Sequence, residues 1–181
     1  MTATTPAMRQ ADDKPPPAEP CGSAAIDVVV EAELWRAEPA AEAAVTRAIA
    51  AAVDAVGGEA ADVAVLLTDD DHIRILNRDF RKLDKPTNVL SFPAAPAMAA
   101  PAAPRFLGDI AIAFETTQRE AAAEGKPLTH HVSHLAVHGF LHLAGYDHDT
   151  DTEAEAMEAL ERRILARLGI PDPYASCDGE R

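Results

Sequence analysis

The sequence predicts an α+β domain: a small four-stranded sheet packed with about five helices, carrying a metal site on a helix-turn near its C-terminal half. Three observations predict it. Strand-length runs of apolar, often β-branched residues occur four times. Segments of 3.6-residue apolar periodicity, punctuated by glycine and proline, lie around them. Six of the seven histidines crowd between positions 130 and 148, over one such periodic segment and the glycine turn behind it.

The first strand is Ile26-Asp27-Val28-Val29-Val30, a β-branched run. Pro39 opens an alanine-rich helix with Ala43, Ala44, Ala48, Ile49 and Val53 in register, ended by Gly57-Gly58. Asp62 to Leu67 is the second strand. Thr68 and Asp69 can cap the next helix, which is expected to reach Arg81 with Ile73, Leu76 and Phe80 on one face. Lys85-Pro86-Thr87-Asn88 is a turn, and Val89-Leu90-Ser91-Phe92 a short third strand. Residues 93 to 105 are mostly alanine and proline and read as a flexible loop. Gly108 to Phe114 is the fourth strand. A helix over Glu115–Glu124 stops at Gly125-Lys126-Pro127. Thr129 is the expected cap of a helix running to Ala144, and a last helix spans Thr152 to Leu168.

The chain divides into a Pro/Ala-rich disordered tail (1–24), a single domain (25–171) and a flexible C-terminal tail (172–181). A length of 181 residues supports one sizeable core. No apolar run approaches the ~20 residues that span a bilayer, and no secretory leader is expected at the N-terminus. Cys21 and Cys177 lie in the two tails and suggest no disulfide framework, which fits a reducing, cytoplasmic compartment. The net charge of −14 excludes nucleic-acid binding by general attraction, so any such binding needs a local basic patch.

His138 and His142 are four apart on a predicted helix and therefore share a face. Gly145 permits a sharp turn that returns His148 to the same place. The pattern is His-x-x-x-His-x-x-Gly-x-x-His. Three neutral imidazoles with a fourth position open describe a catalytic rather than a closed structural zinc site. His134, one turn earlier, is a candidate second-layer residue, proton shuttle, alternative ligand or bystander. His72, His130 and His131 are expected at the surface.

The spacing is that of a long zinc-protease motif, but those enzymes carry a glutamate base after the first histidine. Here that position is Gly139, which argues against peptide hydrolysis. Metal-assisted hydrolysis of another substrate remains open.

The segment His138-Gly139-Phe140-Leu141-His142-Leu143-Ala144-Gly145-Tyr146-Asp147-His148 resembles the signature of the YbeY family of bacterial endoribonucleases and ribosomal-RNA maturation factors. Three further segments are similar to that family. They are Leu76–Arg81 followed by Asp84–Pro93, then Leu107–Ile110, and Met157-Glu158 with Glu161. The resemblance covers about residues 26 to 170. It implies a metal-dependent, single-strand-specific endoribonuclease, zinc or another divalent ion being its cofactor. Its partners would be single-stranded ribosomal RNA and the small ribosomal subunit with its proteins. Its work would be 3′-end maturation of the small-subunit RNA and ribosome quality control, with no membrane involved. It places the metal ligands at His138, His142 and His148, and a functional arginine at Arg81.

The residues add a local basic stretch of Arg74, Arg78, Arg81, Lys82 and Lys85, diluted by Asp79 and Asp84. It is the candidate RNA-binding surface, since arginine grips phosphate through paired hydrogen bonds. Arg81 and His138 are the catalytic candidates, and the general base is unassigned. Asp109, Asp147 and Asp149 can orient ligand imidazoles or serve as turn and cap residues. Thr87 and Asn88 fit RNA contacts or turn stability, Tyr146 base stacking or packing, and Trp35 packing. The rival readings are a non-catalytic ribosome-assembly factor with a structural metal, a stand-alone metal-binding protein and a metallopeptidase.

Overall fold

A computed structural model describes residues 25–57, 61–95 and 105–175. The expected tail 1–24, the centre of the Ala/Pro loop (96–104) and residues 176–181 lie outside the described residues.

The strands are β1 (Ile26–Val30), β2 (Ala61–Thr68), β3 (Val89–Pro93) and β4 (Arg105–Ala113). They form one mixed sheet of order β1-β2-β4-β3. β1 pairs parallel with β2, with Val28 opposite Val65. β2 pairs parallel with β4 and β3 antiparallel with β4, Leu66 and Leu90 both lying opposite Ala111. Parallel neighbours need long crossovers, which the helices supply.

The helices are α1 (Glu33–Arg36), α2 (Ala40–Ala55), α3 (Asp70–Leu76), α4 (Phe114–Ala123), α5 (Leu128–Leu143) and α6 (Asp151–Arg167). α1 was not anticipated, because a four-residue helix carries no periodicity. α3 runs on into a π-helical turn over Asn77–Arg81, closed by Lys82 in the left-handed region (φ 63°). Buried Asn77 donates to the carbonyl of Lys85 at 2.8 Å, tying the following turn to the helix end.

Alternate residues of each strand face two layers. Val63, Val65, Leu67, Ile110 and Ile112 point into the main core, formed with α2, α5 and α6. Leu90, Ala111 and Ala113 face a smaller cluster under Ile73 of α3. Trp35 is buried, donates its indole N–H to the Thr68 carbonyl at 2.9 Å and meets Phe114 edge-on, so its packing role holds. α5 is the central helix, with Val132, Leu135, Ala136, Val137, Phe140 and Leu141 buried on several sides.

Three local expectations are corrected. Phe80 is exposed, because the π-turn rotates it off the face that carries Ile73. Thr129 lies inside α5, whose cap position is Pro127. Asp69, not Thr68, caps α3 by accepting from the His72 amide at 2.8 Å, while Thr68 completes β2. Among the described residues, no helix is long and apolar enough to cross a membrane.

Candidate metal centre

α5 presents His138 and His142 on one face, one turn apart. The helix stops where Gly145 takes φ 91°, a conformation that favours glycine. The Tyr146 amide then bonds back to the Leu141 carbonyl at 3.0 Å, and the reversed chain brings His148 alongside. α6 follows at once. Its cap is a reciprocal pair: Thr150 accepts from the Glu153 amide at 3.3 Å, and the Glu153 carboxylate accepts from the Thr150 amide at 3.0 Å. The ligand turn is thus held between two helix ends.

The three imidazoles converge. One ring nitrogen from each of His138, His142 and His148 lies within 4.8 Å of the others. The Nε2 atoms of His138 and His142 are 3.1 Å apart. His138 and His142 are half-buried and His148 is exposed. Burial first, then the neighbouring His138 and His148, holds the His142 pKa below the usual imidazole range. The neutral form, which alone can ligate, therefore prevails at pH 7.

The partner that sets the His138 tautomer comes from α6. Glu161 is fully buried, and its Oε1 lies 2.8 Å from His138 Nδ1. A proton on Nδ1 donates to this carboxylate and leaves the Nε2 lone pair aimed at the other two histidines. Carboxylate–imidazole pairs of this kind orient metal ligands in proteins. Glu161 Oε2 meets His134 Nε2 at 3.0 Å and also accepts from the Tyr174 hydroxyl. Burial pushes the Glu161 carboxyl up, but the hydrogen bonds from His134, His138 and Tyr174 prevail and bring its pKa down to about 2. The same arrangement drives the Tyr174 hydroxyl well above its ordinary pKa, through burial and then the bond to Glu161. Three nitrogen donors, one of them set by a buried carboxylate, fit a divalent ion of the zinc type.

Asp109, Asp147 and Asp149, the sequence candidates for orienting the ligands, are not what grips His138. The Asp147 carboxylate accepts from the His148 amide at 2.9 Å, a turn contact. Glu161 was legible as part of the Met157-Glu158 segment that resembles the family and as an acidic residue inside the apolar stripe Met157, Leu160, Ile164 and Leu165, but neither signal pairs it with His138. His131 is a second correction: it is buried, not superficial, and its Nε2 lies 2.9 Å from Glu120 Oε2. Glu120 in turn accepts from Asn88 Nδ2 at 3.0 Å, while Asn88 Oδ1 accepts from the Val89 amide. Asn88 is therefore committed to holding its turn. His72 meets Glu31 at 2.7 Å, away from the cluster, and His130 is part-exposed near the start of α5.

A cleft of about 380 Å³ opens in front of the histidines, lined by Arg81, Thr87, Asn88, Val89, Ser91, Asp147, His138, His142 and His148. Of the basic stretch, only Arg81 reaches it. Arg74 forms a two-pronged bond to Asp84 (2.8 and 3.0 Å), and Arg78 pairs with Asp79 at 2.8 Å. The Lys82 ammonium donates to the Asp79 carbonyl. Lys85 lies beyond the helix end, exposed on the turn, because the left-handed Lys82 breaks the spacing.

Gly139 faces the sheet. A Cβ placed there would sit 3.0 Å from Ile110 Cγ2 and 3.1 Å from Ser91 Oγ. The Gly139 carbonyl also accepts from that hydroxyl at 3.0 Å. The position that bears the base in zinc proteases is here a close helix–sheet seam with no room for a carboxylate.

The family model described as Endoribonuclease YbeY matches residues 30–169. The Endoribonuclease YbeY of Rhodopseudomonas palustris (strain CGA009) is 66% identical over 155 residues, spanning 84% of this chain and 82% of its own length. That of Nitrobacter hamburgensis is 60% identical over 156 residues (83% and 82%). That of Bradyrhizobium diazoefficiens is 59% identical over 158 residues (84% and 86%).

Proposed function

The chain belongs to the YbeY family, and from that premise we propose that it is a zinc-dependent, single-strand-specific endoribonuclease. It cleaves ribosomal RNA, matures the small-subunit 3′ end and takes part in ribosome quality control in the cytoplasm. Its partners are ribosomal RNA and the small subunit with its proteins. The domain of residues 25–171 does this work. The observation that carries the reading is the convergence of His138, His142 and His148 in a cleft that also holds Arg81.

Bound by the three imidazoles, zinc or a similar divalent ion would supply Lewis acidity to a phosphoryl oxygen and acidify water. Arg81 binds the scissile phosphate and offsets charge gathering on its oxygens. Glu161 keeps the His138 proton on Nδ1, so that Nε2 stays a lone-pair donor. Ser91 lines the cleft and Gly139 lies in the helix–sheet seam, and neither supplies a base. Lys82 and Lys85 add positive potential along the RNA backbone. Arg74 and Arg78 add less, being neutralised by Asp84 and Asp79.

The test is cleavage of a single-stranded RNA carrying the small-subunit 3′ precursor end. Metal-loaded wild type is expected to cut it, and folded His142→Ala to be inactive. Arg81→Ala should lose on the order of 10²-fold in rate, as for removal of one oxyanion donor, while retaining zinc. Equal cleavage by wild type and His142→Ala would sink the nuclease reading and favour an assembly factor.

A further inference from the structure

Beyond the end of α6 the described residues 168–175 stay against the domain. The Ile170 amide bonds to the Leu165 carbonyl at 3.0 Å, and the segment Pro171–Tyr174 runs back toward the histidines. Several tethers hold it. The Lys126 ammonium donates to the Pro173 carbonyl at 2.7 Å. Asp172 accepts from the Tyr174 amide at 2.9 Å and faces Arg162 Nε at 3.5 Å. The Arg162 guanidinium lies 5.2 Å from the centre of the Tyr174 ring, and that ring meets His134 edge-on at 5.5 Å. The result is a tyrosine hydroxyl set against Glu161, beside a cavity also lined by His138, His148 and Met157.

We propose that Tyr174 is a positioning residue for the metal centre, acting through Glu161 on His138. The inference rests on the metal reading above and concerns a residue outside the matched span 30–169.

A buried carboxylate needs its acceptor sites filled. Glu161 Oε1 is occupied by His138, and Oε2 is shared by His134 and Tyr174. His138 and His134 hold one oxygen each, but both lie on α5, so these two bonds hold the carboxylate, whose terminal torsion is broad, from one helix only. The Tyr174 hydroxyl, carried on a backbone tied at Pro173 and Asp172, fixes that torsion. Oε1 then stays 2.8 Å from His138 Nδ1, and Nε2 of His138 stays beside His142 Nε2. The segment 172–175, expected from sequence to belong to a flexible tail, thereby becomes part of the site's support.

The test is zinc affinity by competition with a chromogenic chelator, together with melting of the metal-free protein. Tyr174→Phe keeps the ring contacts with His134 and Arg162 and removes only the hydroxyl. It is expected to stay folded without metal, its melting temperature lowered by a few degrees for one lost bond to a buried carboxylate, and to bind zinc about 10-fold more weakly, the lower end of the effect of outer-layer partners. Tyr174→Ala should weaken zinc at least as much, and if it fails to fold the phenylalanine variant decides alone. Wild-type zinc affinity in folded Tyr174→Phe would overturn the inference while leaving the metal reading intact. Failure of wild type itself to bind zinc would overturn both.

Discussion

Gly139→Ala adds one methyl group at the seam between α5 and the sheet. The new Cβ would stand 3.0 Å from Ile110 Cγ2 and 3.1 Å from Ser91 Oγ, both tighter than ordinary contact. Ile110 is fully buried and β-branched, so its χ1 is restricted and packing leaves it little room to swing aside. Ser91 can rotate, but then its bond to the Gly139 carbonyl is lost, at about 1 kcal/mol. Overpacking adds about 1–3 kcal/mol. Replacing a mid-helix glycine by alanine returns about 0.8–1.0 kcal/mol of helix propensity. The balance is a loss of about 1–3 kcal/mol, or roughly 2–12 °C in Tm at 2–4 °C per kcal/mol for a domain of this size. Urea denaturation of the metal-free protein measures it. A variant as stable as wild type, or more so, would refute the claim that the seam is closed to side chains. The larger Gly139→Glu, which would restore the protease base, is expected to unfold the domain rather than confer peptidase activity.

Glu161→Gln is expected to cost about 3 kcal/mol at pH 7, the worth of lowering a buried carboxyl from 4.5 to about 2. Because the folded pKa is the depressed one, this contribution is complete above pH 4.5 and disappears as pH falls toward 2. The gap between wild type and variant in denaturant titrations should close over that window. A gap that persists at pH 2 would contradict the ionised carboxylate. Thr150→Ala removes the hydroxyl half of the α6 capping pair and should cost about 1 kcal/mol in the same titrations, a null result meaning that this hydroxyl is idle. Lys85→Ala should weaken RNA binding on all sequences and lower the salt-dependence slope by about 1. Arg74→Ala, whose side chain is half-exposed and paired with Asp84, should leave the denaturation midpoint nearly unchanged. An unchanged salt slope for Lys85→Ala would remove that lysine from the RNA path.

The four strands and the five longer helices were legible because each carries a period of its own. β2 alternates buried and part-buried residues from Ala61 to Leu67, and α2 repeats Ala41, Ala44, Val45, Ala48, Ile49 and Ala52 toward the core. The convergence of His138, His142 and His148 was legible because helix pitch and a turn glycine convert sequence spacing directly into distance. What stayed hidden depends on contacts between distant segments. Glu161 lies 23 residues from His138, and Tyr174 13 further on. The loss of Arg74 to Asp84 follows from where the chain bends after Lys82, whereas Arg78 pairs with its neighbour Asp79. The π-turn that exposes Phe80 and delivers Arg81 to the cleft adds one residue to a turn, which a 3.6-residue period does not register.

The most direct test is a zinc titration of metal-free protein, following cleavage of the single-stranded precursor RNA at each step. The three-histidine site predicts activity that rises linearly and saturates at one equivalent of metal per chain, with none at any loading of folded His142→Ala. Cleavage that is present before metal is added, or that persists in the variant, would contradict it.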